Sequence, residues 1–154
     1  MKVSSILLSS LLAGADLGAK YYVEKQVEDK EERRIFHGRG ILRKVHNHGL
    51  MLNALEEQEK ILRVASLPLF GIFVLFQARL LKKRGHAAEK LGAALMAGGA
   101  ASNTFDRVVR GYVVDYLAVK TPWKKLTDIT FNLGDLAIFA GALFTAAGAW
   151  RAKE

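Results

Sequence analysis

An all-α membrane bundle is the fold class this chain predicts, and three observations carry it. Four apolar stretches, at residues 3–23, 61–81, 90–109 and 127–150, each approach the ~20 residues that a spanning helix needs. Charged side chains gather between the stretches, most densely over residues 24–60. Basic residues flank the apolar runs in a chain whose formal charge is +8, which fits a membrane protein's loops. Apolar residues make up 51% of the 154. That is close to a soluble average, so segregation and not content supports the assignment. The length fits one integral membrane domain spanning 1–154.

The first stretch, residues 3–23, holds Asp16 and Lys20 four apart, an ion-pair spacing on a helix. Its start, with Ile6-Leu7-Leu8 and then Ala13-Gly14-Ala15, also fits a short cleaved secretory signal. Three further spans and the polar pair favour a retained helix. Residues 24–60 alternate acids and bases, as in Glu28-Asp29-Lys30-Glu31-Glu32-Arg33-Arg34. Within them, residues 41–55 fit either short strands or an amphipathic segment on the bilayer surface. The second stretch is the most apolar and carries Pro68, which a membrane helix tolerates. The third and fourth contain polar residues and count as spans because the four make a bundle. Small residues recur at helical spacing (Gly14 and Gly18; Ala93, Ala97 and Ala101; Gly98 and Ser102), a pattern that lets membrane helices approach closely.

Arg79, Lys82, Lys83, Arg84 and Lys90 surround the second connection, Lys2 starts the chain, and Arg151 and Lys153 end it. The positive-inside rule places these in the cytoplasm. Residues 24–60 and the loop holding Asp115 then face the other side.

There are no cysteines, which excludes disulfides and thiol chemistry. The basic balance is compatible with nucleic acid, but no zinc-finger spacing, phosphate-cradling loop or RNA-binding aromatic motif supports it. His46 and His48 flank Asn47, yet no carboxylate or cysteine stands at ligand spacing, so no metal site or cofactor is read.

Two aspartates lie beside apolar segments: Asp115 in Val113-Val114-Asp115-Tyr116-Leu117 and Asp135 in Phe131-Asn132-Leu133-Gly134-Asp135. An ionisable group at a bilayer's border is costly and is a functional candidate by default. Two such carboxylates suffice for acid–base activation of water. Asn132 is three residues before Asp135, and Asp128 four before Asn132. Asn103 and Arg107 share a face of the third stretch, with Asp106 three from Asn103. Asp106 and Arg107 answer each other or pair with other helices. These polar faces should converge, because facing lipid is unfavourable.

Taken in order, these motifs resemble the lipoprotein signal peptidases (signal peptidase II). That family shows Asp-x-x-Ser/Thr-Lys, then Asn-x-Gly-x-Ala-Phe, Gly-Asn-x-x-Asp-Arg, Val-Val-Asp-Phe and Phe-Asn-x-Ala-Asp. Here the first three blocks match Asp16 to Lys20, Asn47 to Leu52, and the stretch ending Ser102-Asn103-Thr104-Phe105-Asp106-Arg107. The resemblance covers nearly the whole chain. It implies a bacterial membrane aspartic endopeptidase that cuts prolipoproteins before a diacylglyceryl-modified cysteine. It implies Asp115 and Asp135 as the catalytic pair, with Asp16, Lys20, Asn47, Gly49, Asn103, Asp106, Arg107 and Asn132 shaping or supporting the site. It also implies four transmembrane helices with a small extracytoplasmic β-cradle and a surface helix, both supplied by residues 24–60. A monomer among membrane lipids, with no nucleic-acid partner, completes the expectation. The departures are Ala19, Met51, Leu52, Ser102, Tyr116 and Gly134, which bear on substrate fit more than on chemistry. Two other readings compete. One is an idle or substrate-shifted paralogue that binds lipidated peptides or a membrane partner. The other is a small transporter with a carboxylate proton relay.

Overall fold

The computed structural model describes residues 2–49 and 59–151. The chain runs α1 (Lys2–Gln26), β1 (Glu32–Ile35), β2 (Gly40–Asn47), α2 (Glu59–Lys82), α3 (Ala87–Val109), β3 (Val113–Val119), α4 (Lys124–Thr127) and α5 (Leu133–Arg151). A 3-10 turn at Phe36–Gly38 joins β1 to β2.

Among the described residues, three helices are long and apolar enough to cross a membrane: Val3–Gln26, Lys60–Lys82 and Leu133–Arg151. Their outward faces carry exposed Leu7, Leu11, Val64, Leu75, Phe139 and Leu143. So many exposed large apolar side chains suit a lipid environment. Helix α3 differs, because it packs against α1, α2 and α5 at once. Apart from Met96, its buried positions are small or polar, including Ala93, Ala97, Gly98, Ser102 and Asn103, because its neighbours are protein.

Close approach between α3 and α5 depends on glycine. A Cβ on Gly99 would run into the Gly134 carbonyl, and one on Gly141 would meet the Gly92 carbonyl at 2.5 Å. Gly92 and Gly99, like Gly134 and Gly141, are seven apart, a seam that keeps two helices in contact over two turns. The expected Gly14 and Gly18 pair does not serve this purpose, since a Cβ at either would meet nothing within 4 Å.

The strands form one antiparallel sheet in the order β1-β2-β3. Residues 24–60 supply only β1 and β2 of it. The third strand comes from residues expected as a loop, and it carries Asp115. Val113, Val114, Tyr116 and Val119 suit a strand, but a strand forms there because β2 offers an edge to pair with. The register places Asn47 opposite Val113 and Val45 opposite Asp115, with an irregularity between Leu42 and Val45. The expected fourth stretch begins six residues later than 127, at Leu133. Asp128 therefore ends α4 and does not share the α5 face with Asn132. The expected surface helix, with Met51 and Leu52, lies outside the described residues. Val23, Val27, Val114 and Tyr116 form a buried cluster joining α1 to the sheet, with Leu133 packed against it. This cluster fixes the sheet over the ends of α1 and α5.

Candidate active site

Asp115 lies on β3, and Asn47 sits diagonally across from it on the same face of the sheet. The Asn47 amide donates to Asp115 Oδ2 at 2.8 Å. Its oxygen accepts the Gly49 N–H at 3.0 Å, which fixes the amide's orientation. Phe131 pairs with Leu117 through two backbone bonds of 2.8 Å. That pairing brings the next residue, Asn132, against Asp115, where its amide donates to Oδ1 at 2.7 Å.

Asn132 also starts α5. Its side-chain oxygen accepts the Asp135 N–H at 2.8 Å, while Asp135 Oδ2 accepts the Asn132 N–H at 3.2 Å. This is a reciprocal capping box, built from Asn and Asp. One residue thus caps the helix carrying Asp135 and touches Asp115. From α3, Asn103 donates to Asp135 Oδ1 at 2.8 Å. Its own oxygen accepts Lys20 Nζ at 2.8 Å. Three asparagines, from β2, α3 and the start of α5, therefore aim their amide donors at two aspartates. Asp115 is 3% exposed, and Asp135 is half-buried. Among the described residues, neither has a cationic partner within 4.0 Å. Burial first, and the neighbouring Asp135 charge second, push the Asp115 carboxyl up to about 7.

Beneath this pair lies a second cluster. Lys20 Nζ meets Asp16 at 2.9 Å and Asp106 at 3.2 Å, with all three side chains fully buried. Asp106 also pairs with Arg110 at 3.0 Å and accepts the Val114 N–H at 3.1 Å. Arg107 does not answer Asp106; it donates to the Gly49 carbonyl at 3.3 Å. All the residues expected at the site thus meet in two adjoining layers.

Spacing did not reveal the parts played by Tyr116 and Ser102. The Tyr116 hydroxyl donates to Asp16 Oδ1 at 2.8 Å and accepts the Leu133 N–H at 3.2 Å. Burial and the Asp16 charge raise the phenol's pKa well above its ordinary value, so it remains a donor. Ser102 donates to Asp16 Oδ2 at 2.6 Å. A Cβ on Gly134 would lie 3.0 Å from that same oxygen. Three of the six departures from the family pattern thus surround one carboxylate. Their signal in the sequence was two gained hydroxyls and one lost methyl. His46 bonds Glu24 at 2.8 Å and stacks on Tyr112 with centroids 4.2 Å apart.

A helical membrane protein capped by a small sheet is a fold already represented among solved structures. Two bacterial membrane enzymes share the fold. One has a TM-score of 0.83 at 18% identity, covering 98% of this chain and 90% of the other. The second has a TM-score of 0.79 at 18% identity, covering 95% and 92%.

The sequence is more specific. Residues 8–151 match the Signal peptidase (SPase) II family, and the chain belongs to it. Lipoprotein signal peptidases from Vibrio parahaemolyticus and Clostridioides difficile are 30% and 29% identical. The alignments cover 91% and 90% of this chain, and 83% and 89% of the relatives. The chain is a membrane signal peptidase, and the idle-paralogue and transporter readings are not favoured.

Proposed function

We propose that this chain is an aspartic endopeptidase, a single domain that cuts prolipoproteins before their diacylglyceryl-modified cysteine, with Asp115 and Asp135 as the catalytic pair. The observation that carries the reading is the set of three asparagines converging on two carboxylates that, among the described residues, have no cation within 4.0 Å. Such a pair cannot ionise twice cheaply, so it shares a proton.

Asp115 holds that proton near neutrality, and Asp135 accepts one from a water that attacks the scissile carbonyl. Asp115 gives its proton to the carbonyl oxygen as the tetrahedral diol forms. On collapse, the diol returns a proton to Asp115, and Asp135 passes the water's proton to the leaving amine. Asn47, Asn103 and Asn132 keep both carboxyl groups oriented through the cycle. Lys20 and Arg107 offset part of the cluster's negative charge.

Helix α3, enclosed by the three apolar helices, serves as the fourth span. The termini are cytoplasmic, and the sheet and the aspartate pair lie toward the extracytoplasmic face. The protein works as a monomer among membrane lipids. Incubating the purified chain with a prolipoprotein, with and without the diacylglyceryl group, tests this. The modified form should be cut on the amino side of its cysteine, and the unmodified form should remain whole. Chelators should leave the rate unchanged, because carboxylates activate the water. Cleavage elsewhere in the substrate would refute the assignment.

A further inference from the structure

We propose that the cavity lined by charged residues and walled by β1, β2 and the 128–130 loop is the subsite for the mature side of the substrate. It would hold the hydrophilic, charged residues that follow the cleaved bond. This inference rests on the aspartic-peptidase reading above.

The cavity holds about 430 Å³ and has Asp115 and Asn47 in its wall. A volume of that size is typical of ligand-binding clefts. Whatever fills it therefore touches Asp115, one member of the proposed catalytic pair. Val45 is the one aliphatic side chain in the lining; most of the remainder is charged. An acyl chain or apolar signal segment entering here would strip water from those charges without replacing it, which is unfavourable. A polar peptide would supply hydrogen bonds in water's place. The substrate has the same asymmetry, an apolar signal on one side of the cut and a water-soluble chain on the other. Asp135 stands at the start of the apolar α5, whereas Asp115 stands in the wall of this cavity.

The walls are tied together. Arg43 bonds Glu32 at 3.0 Å, Thr130 Oγ1 at 2.8 Å and the Thr127 carbonyl at 2.8 Å. Lys44 is held by Asp29 at 2.8 Å. Lys30 and Asp128 differ. Both line the cavity and are exposed, and among the described residues neither has an ion pair within 4.0 Å. They are the charges left to meet an incoming peptide.

The test uses the full purified chain and diacylglyceryl-modified peptides that differ only at the second to fourth residues after the cut, bearing Lys, Asp or Ser. Asp128→Lys should lower the kcat/KM ratio of the lysine peptide to the aspartate peptide by about three- to tenfold, an effect of rim charges that shrinks at high salt. Lys30→Glu should move the same ratio the other way. Reading a ratio within one preparation cancels any loss of folded protein. The same charges moved to the signal side of the cysteine should leave the ratio fixed. An unchanged ratio in both variants, with cleavage intact, would overturn the subsite alone. Failure of the parent to cut even the serine peptide would overturn the peptidase reading beneath it.

Discussion

Two carboxylate clusters lie side by side in this protein and are satisfied in opposite ways. Asp16 and Asp106 share one buried lysine and receive hydroxyl and backbone donors besides. Among the described residues, Asp115 and Asp135 receive only neutral amide and backbone donors. A buried charge with its counter-ion is a strut, since removing one partner strands the other. A buried pair without one remains open to protonation, which acid–base chemistry requires. Lys20 joins the layers, because it holds the Asn103 amide that holds Asp135.

Breaking the amide-held cluster should give the largest functional effect. Asp115→Asn or Asp135→Asn should each reduce turnover by at least ~10²–10⁴-fold, the range for a general acid or base, measured on a lipid-modified prolipoprotein. Breaking the lysine-held cluster should act on stability first. Lys20→Met leaves Asp16 buried without its ammonium and Asp106 with Arg110 alone, and should cost about 3–5 kcal/mol in denaturant unfolding.

A pH profile sharpens the contrast. Asp115 is pushed up to about 7 by burial and by Asp135. Cleavage should therefore decline as pH rises through about 7, approaching tenfold per unit beyond it as the proton donor is lost. The stability sign follows from the same shift. The folded state binds this proton more tightly than the unfolded state does. Asp115's contribution to stability is therefore fully present below the carboxylate's ordinary pKa and is lost as pH rises toward about 7.

The smallest effect belongs to Tyr116→Phe. It keeps the ring but removes one donor from Asp16 and one acceptor from Leu133. The expected loss is about 1–2 kcal/mol in unfolding, with a few-fold drop in turnover because the start of α5 is held less firmly.

The sequence made part of each cluster legible. The spacing of Asp16 and Lys20 is realised as an ion pair on one helix, and Asn132 reaches Asp135 by the three-residue step that a helix start provides. Asn47 was reached only through family resemblance. Its place beside Asp115 depends on pairing two strands far apart in the chain, and no local pattern encodes that register. The same non-local pairing turned the expected Asp115 loop into β3. Ser102 and Tyr116 read as minor substitutions, because a hydroxyl's role depends on which carboxylate lies opposite. The Gly92–Gly99 and Gly134–Gly141 rows lie at a period of seven, whereas a spacing of four picks out Gly14 and Gly18, where a Cβ would meet nothing within 4 Å, and Gly98, where it would lie close to the Ser9 carbonyl of α1.

The central claim is that the amide-held pair exists for chemistry and the lysine-held pair for the fold. Unfolding Asp115→Asn and Lys20→Met side by side in one detergent tests it most directly. The asparagine variant loses at most one amide contact, because Asn47 and Asn132 are both fixed as donors. It should change stability by no more than about 1–2 kcal/mol, with the lysine variant losing about 3–5 kcal/mol. An Asp115→Asn protein destabilised as much as Lys20→Met would contradict the account.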